Sequence, residues 1–169
     1  MKHFFISFLL LGFSFISDAQ IKDANLIIKD QAILMGQAFI SEDYKTFTKY
    51  NNPTIIKMMG GQEKMVASML KIVSDMKSKG MFFKSFTFDE PSKIVKSGKE
   101  LQCTLAQHTY INTPSGGIVS NSTLIAISTD SGQKWTFIDT NNKDMATIRR
   151  ILPNLSSAIT ILPKQQEVQ

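Results

Sequence analysis

Apolar residues return every three to four positions through the first half of this chain and every second position through the second. Between residues 24 and 39, Ile27, Ile28, Ala32, Met35, Ala38 and Phe39 recur at helical spacing, while Lys22, Lys29 and Asp30 fall off that stripe, which predicts an amphipathic helix. Ser41, followed by Glu42 and Asp43, reads as an N-cap with acids in the first turn of a short helix through Tyr44, Phe47 and Tyr50. Asn51-Asn52 stops it, Pro53 suits the first turn of a third helix reaching Met59, and Gly60-Gly61 breaks that one. Residues 62–79 carry Met65, Val66, Met69, Ile72, Val73 and Met76 on one side, with Lys64, Lys71, Asp75 and Lys79 largely opposite.

After Gly80 the period falls to two. Phe82, Phe86 and Phe88 alternate with Ser85 and Thr87, and Asp89-Glu90-Pro91 closes that strand. Ile94-Val95 precedes a Ser97-Gly98-Lys99 turn. Leu101, Cys103 and Leu105 then alternate with Gln102 and Thr104 in a strand reaching about Ile111. Pro114 to Gly117 makes the next turn, residues 118–129 the next strand, Asp130-Ser131-Gly132 another hairpin, and residues 135–139 the last strand of the run. Asp144 starts a closing helix through Ile148, Ile151 and Leu152, ended near Pro153. Residues 156–162 add an apolar edge or a further turn, and residues 163–169 read as a polar, frayed tail. Helices first and consecutive antiparallel strands after them make an α+β layout, with the helices covering one face of a curved sheet.

Composition changes the picture mainly at the start of the chain. Lys2 and His3, an apolar run over residues 4–16 and small residues at Ser17 and Ala19 predict an export leader over residues 1–19, with Gln20 first in the mature chain. The run is about 13 residues, shorter than the roughly 20 that cross a bilayer as a helix. Position 20 is glutamine rather than cysteine, so the expected product is periplasmic or secreted, not a lipoprotein, and has no membrane anchor after cleavage. One domain is expected over residues 20–162. The single cysteine, Cys103, excludes an intramolecular disulfide, so the core alone must hold the fold. The formal charge of +5 and pI of about 9.3 come from lysines scattered among acids. Only Arg149-Arg150 and Lys77/Lys79 cluster, with no interleaved aromatics, a pattern that argues against nucleic-acid binding.

An opening helix, a short helix around Tyr44, Phe47 and Tyr50, a segment from Pro53 to glycines 60 and 61, and a meander ending at Trp135, Phe137 and Asp139 together resemble the NTF2-like (SnoaL-like, cystatin-like) domains, in particular exported bacterial members. That resemblance implies a cone: a bent sheet wrapped around helices, with an apolar pocket at its open end. It also implies, in the enzymes of the family, an aspartate or histidine base with tyrosine or acid donors in the pocket, a constellation that this chain does not match residue by residue.

The candidates follow from residue chemistry. His108, the only histidine after the leader, shares a strand face with Thr104 and Tyr110, and alternation turns that face away from Leu101, Cys103 and Leu105. Asp139 closes the strand carrying Trp135 and Phe137, where it either serves as an acid or base or starts the next turn. Cys103 lacks a nucleophile's neighbours and reads as core. The methionines follow the helical core stripe, which argues against a metal site and suits an adaptable apolar pocket. The expected function is a non-enzymatic exported domain that binds a small apolar ligand or a protein partner, with Phe47, Met58, Met69, Trp135 and Phe137 as pocket residues and no cofactor. Two alternatives stand beside it. One is an isomerase- or dehydratase-like enzyme using Asp139 or His108 with Tyr44 or Tyr110, and the other a homodimer formed through the exposed sheet face.

Overall fold

The computed structural model describes residues 18–141, 143–161 and 165–168. The expected leader falls, up to residue 17, outside the described residues. Helix α1 (Asp18–Ile40) is followed by α2 (Tyr44–Thr48), α3 (Pro53–Met58) and α4 (Gln62–Ser78). Strands β1 (Phe82–Phe88), β2 (Val95–Ser97), β3 (Glu100–Thr113), β4 (Gly116–Ser128) and β5 (Thr136–Asp139) come next, then α5 (Met145–Ile151) and β6 (Gln165–Val168).

Local chemistry sets the helix ends. Asn52 accepts from the Thr54 N–H at 3.0 Å, and Pro53 occupies the first turn of α3. The cap of α2 is Asp43, whose carboxylate takes the Thr46 N–H at 3.0 Å. Ser41, expected in that role, turns its hydroxyl back to the Gln37 carbonyl and finishes α1 instead. The intervening Glu42 sits at φ 61°, so the chain bends sharply between the two helices and only the later residue can cap.

The antiparallel sheet is built on a long β3–β4 hairpin. Strands β1 and β2 lie end to end along the free edge of β3, and β5 and β6 along that of β4. At 14 residues β3 is about 46 Å long at roughly 3.3 Å per residue, long enough for one end to serve a core and the other a cavity. The tail expected to fray is paired where it is described, with Gln165 to Val168 set against Asn121 to Ile118.

Two layers of core form, one on each sheet face. On the inner face Ile28, Ala32 and Met35 of α1 pack against Phe88, Cys103, Leu105, Leu124, Ala126, Trp135 and Phe137. On the outer face Ile125, Ile127 and Ile138 are covered by Ile148 of α5 and by Leu152, Leu155 and Ile159 after it. The apolar run near the end of β4 is therefore buried from both sides, as continuous rather than alternating hydrophobicity requires.

A register shift between Phe83 and Ser85 corrects the expected alternation in β1. The extra residue resets the strand's phase, so Phe83 joins Phe86 on the inner side and Phe82 is left exposed. Opposite this strand α1 comes close. A Cβ at Gly36 would stand 3.1 Å from Phe86 Cβ and 3.3 Å from Phe88 Cε2, so the residue there is glycine because the strand has its space.

Candidate functional site

Where the inner core ends, the helices and the sheet part around a cavity of about 660 Å³. Helix α1 contributes Met35 and Phe39, α2 contributes Phe47, and α4 contributes Met65, Met69 and Met76, while Met58 and Met59 come from the end of α3. The face of α4 that helical spacing marked as a core stripe is thus partly a cavity wall. Phe39 anchors the back of it, meeting Tyr44, Phe47, Phe83 and Phe86 edge-on at centroid distances of 5.0 to 5.4 Å. Edge-to-face contact suits the ring quadrupoles and fixes each ring's tilt.

The sheet side of the cavity is mixed. Cys103 and Leu105 set the inward phase of β3, and Gln107, Thr109 and Ile111 continue it into the cavity. On β4, Leu124 and Ala126 set the phase that Ser122 and Ser120 continue. The register places Gln107 opposite Ser122 and Thr109 opposite Ser120, so four polar side chains form a compact strip on an otherwise apolar wall. Gln107 is buried, and its amide donates to Ser122 Oγ at 3.3 Å and to Asp139 Oδ2 at 3.2 Å.

Asp139 lines the cavity at the end of β5, and its carboxylate is exposed there. Its other oxygen takes the Asn141 N–H at 2.9 Å. It therefore both starts the turn toward α5 and stands beside the polar strip. Asn141, Lys143, Ile148 and Ile151 complete the rim on that side.

Four of the five expected pocket residues, Phe47, Met58, Met69 and Phe137, line the cavity. Trp135 does not, which corrects that expectation. It is fully buried in the inner core, its indole N–H bonded to the Gly132 carbonyl at 3.0 Å and its backbone N–H to Gln31 Oε1 at 2.8 Å. It shares the phase of Phe137, but it lies at the end of the sheet that α1 closes.

The acid–base candidates are scattered. Tyr44 is buried against Phe39 and Val73 outside the cavity lining, and its hydroxyl has no hydrogen-bond partner. Burial, reinforced by nearby Glu42, raises its pKa above the usual phenol value. His108 lies on the outer sheet face, with Nδ1 2.7 Å from Asn121 Oδ1 and Nε2 3.0 Å from Asp89 Oδ1. Those two acceptors, the Asn121 amide first, favour the imidazolium and raise its pKa against a smaller opposing effect of burial. Tyr110 shares the outer face by alternation. Of the four candidates only Asp139 reaches the cavity. Cys103 is in the core, its thiol pushed up to about 12 by burial.

Among the described residues no group of three or more His, Cys, Asp or Glu is placed to hold a metal ion, and no helix is long and apolar enough to cross a membrane. Missing from the sequence reading were Gln107, Thr109, Ser120 and Ser122. Their signal was present: each continues the inward phase of its strand past the core residues Leu105 and Leu124.

No family model matches the chain, and no curated protein matches it. Among solved structures it is similar to an NTF2-like protein with a cystatin-like fold from Novosphingobium aromaticivorans, at 10% identity and a TM-score of 0.50. The match covers 83% of this chain and 99% of the other. At that identity the likeness concerns the fold: the chain has the α+β architecture of the NTF2-like, cystatin-like proteins. That fold is compatible with ligand-binding and with enzymatic roles.

Proposed function

We propose that this chain is an exported binding domain whose cavity takes a small apolar or amphipathic molecule. The cavity carries the reading: about 660 Å³, within the roughly 300–1,000 Å³ of typical small-molecule sites, and walled mainly by methionine, phenylalanine and isoleucine. Burying apolar ligand surface against such a wall contributes about 25 cal/mol per Å². Unbranched, polarizable methionines let the wall adapt to ligands of different outline. Export rests on the leader pattern of residues 1–19.

The isomerase- or dehydratase-like alternative draws on Asp139 alone, because a second acid or base would have to come from a residue other than His108, Tyr44 or Tyr110. For a homodimer, the sheet surface left to a second copy is the strip around His108 and Tyr110, since α5 and the segment after it cover the apolar part of that face.

Native mass spectrometry of protein purified from its host tests the reading, together with titration by the neutral dye N-phenyl-1-naphthylamine. The expected result is a bound small molecule released on denaturation, or saturable dye binding weakened by Met69→Lys at the wall. Protein that carries nothing and does not bind the dye would refute it.

A further inference from the structure

The polar strip and Asp139 give the cavity a chemical preference that its apolar walls do not. We infer that the ligand is an amphiphile whose head group donates hydrogen bonds, of alcohol or ammonium type, and that carboxylate-headed amphiphiles are disfavoured. The inference rests on the cavity being a ligand site and adds which molecules it selects.

A primary amide has two N–H donors, and both of Gln107's are engaged, one on Ser122 Oγ and one on Asp139 Oδ2. The Asp139 carboxylate has about four lone-pair positions. Gln107 and the Asn141 N–H take one each, leaving further acceptor capacity beside the cavity. Thr109, Ser120 and Ser122 bring hydroxyls, which give and accept equally well. The backbone N–H groups of these residues belong to the β3–β4 ladder. The strip is thus rich in acceptors, with no amide donor to spare, and it ends in a negative charge.

Along the strip an incoming carboxylate would meet that charge with only hydroxyl donors to offset it, the other donors of the lining being the Asn51 and Asn141 amides and Lys143. An ammonium or an alcohol gains a charge-assisted hydrogen bond to the same oxygen. The competing cation is Lys143 at the rim; both charges are exposed and screened by water and salt, but hydrogen bonds from Gln107 and the Asn141 N–H fix the Asp139 carboxylate beside the strip. The protein's overall charge makes the prediction discriminating. At +5 the chain as a whole attracts anions, so a preference for a cationic amphiphile has to arise locally.

Displacement of N-phenyl-1-naphthylamine by decylamine, 1-decanol and decanoate at neutral pH tests this, since the three share one chain and differ in the head. The expected result is decylamine displacing the dye about tenfold more tightly than decanoate, with 1-decanol between them. Asp139→Asn keeps the shape and removes the charge, and should shrink the amine-to-carboxylate ratio to about threefold or less. Dye binding by the variant reports that its cavity is intact. Decanoate binding as tightly as decylamine, or a ratio unchanged in Asp139→Asn, overturns the head-group preference while dye binding leaves the cavity reading standing. Failure of the dye to bind a natural chain that also carries no small molecule from its host removes both.

Discussion

Replacing Gln102 with leucine should loosen the rim of the cavity from the opposite face of the sheet. Gln102 is fully buried on the outer side of β3. Its amide donates to the Asn154 carbonyl at 3.1 Å and to Glu100 Oε2 at 2.6 Å, and its oxygen accepts the Ser156 N–H at 2.9 Å. Two of those bonds fasten the segment after α5 to the sheet, and α5 carries the rim residues Ile148 and Ile151. Leucine is close to glutamine in volume, so the change removes hydrogen bonds without opening a large void. The Asn154 carbonyl keeps its bond from Ser97 Oγ at 2.8 Å, but the Ser156 N–H loses this acceptor. An orphaned, part-buried N–H costs about 1–3 kcal/mol, and the lost bond to Asn154 about 0.5–1.5 kcal/mol. Some of that is offset by the apolar burial leucine gains, so a net loss of about 2 kcal/mol is expected. For a domain of this size that lowers Tm by about 4–8 °C. Gln102→Glu should cost more, about 3 kcal/mol or above, because it buries a carboxylate near Glu100 and cannot donate to Asn154. Urea unfolding followed by circular dichroism and by Trp135 fluorescence measures the loss, and hydrogen exchange locates it. Amides of Ile148, Leu152, Leu155 and Ile159 should exchange faster well before those of the inner core. A Gln102→Leu variant within about 0.5 kcal/mol of the natural chain, with exchange unchanged over residues 145–161, would refute the reasoning.

Three further outcomes follow from the same geometry. The folded His108 pKa is raised above its ordinary 6.5, so its contribution to stability is complete below that value and is lost as pH rises through the folded one. His108→Gln should flatten the stability–pH curve above pH 6.5, and a variant with the natural slope would contradict the pairing with Asn121 and Asp89. Cys103, buried with its thiol near 12, should resist iodoacetamide in the native protein and react on unfolding, as read by mass spectrometry. Gly36→Val should destabilise by about 1–3 kcal/mol through overpacking on Phe86 and Phe88, visible as a lower Tm, although valine is the better helix former.

Periodicity revealed the elements because each buries one face, and the alternating runs of β3 and β4 fell where they were expected. It could not show that the sheet is buried on two faces at once. The outer layer exists because the chain returns after β5 and lays Ile148, Leu152, Leu155 and Ile159 over Ile125 and Ile127. That is a contact between distant segments, which no local pattern encodes. Gln102 shows the consequence: among Leu101, Cys103 and Leu105 a glutamine reads as the solvent side of a strand, yet here it is the peg holding the second layer down. In β1, a single inserted residue moved Phe83 in and Phe82 out, and one residue of slip is enough to reverse every assignment downstream of it.

The cavity was hidden for a related reason. Alternation tells which side of a strand a residue faces, and not whether that side meets a partner or an empty space. Val73 and Met69 follow one helical stripe, Cys103 and Gln107 one strand phase; within each, packing differs between core and cavity wall with no change of period. What changes is polarity against phase. A core strand that goes on inward with Gln107 and Thr109, paired across to Ser122 and Ser120, would set the strip's hydroxyls and the Asp139 carboxylate against apolar side chains if the helices closed over it. The strip therefore marks the point at which close packing stops, and Asp139 stands beside it because a carboxylate is tolerated only where the wall opens to water.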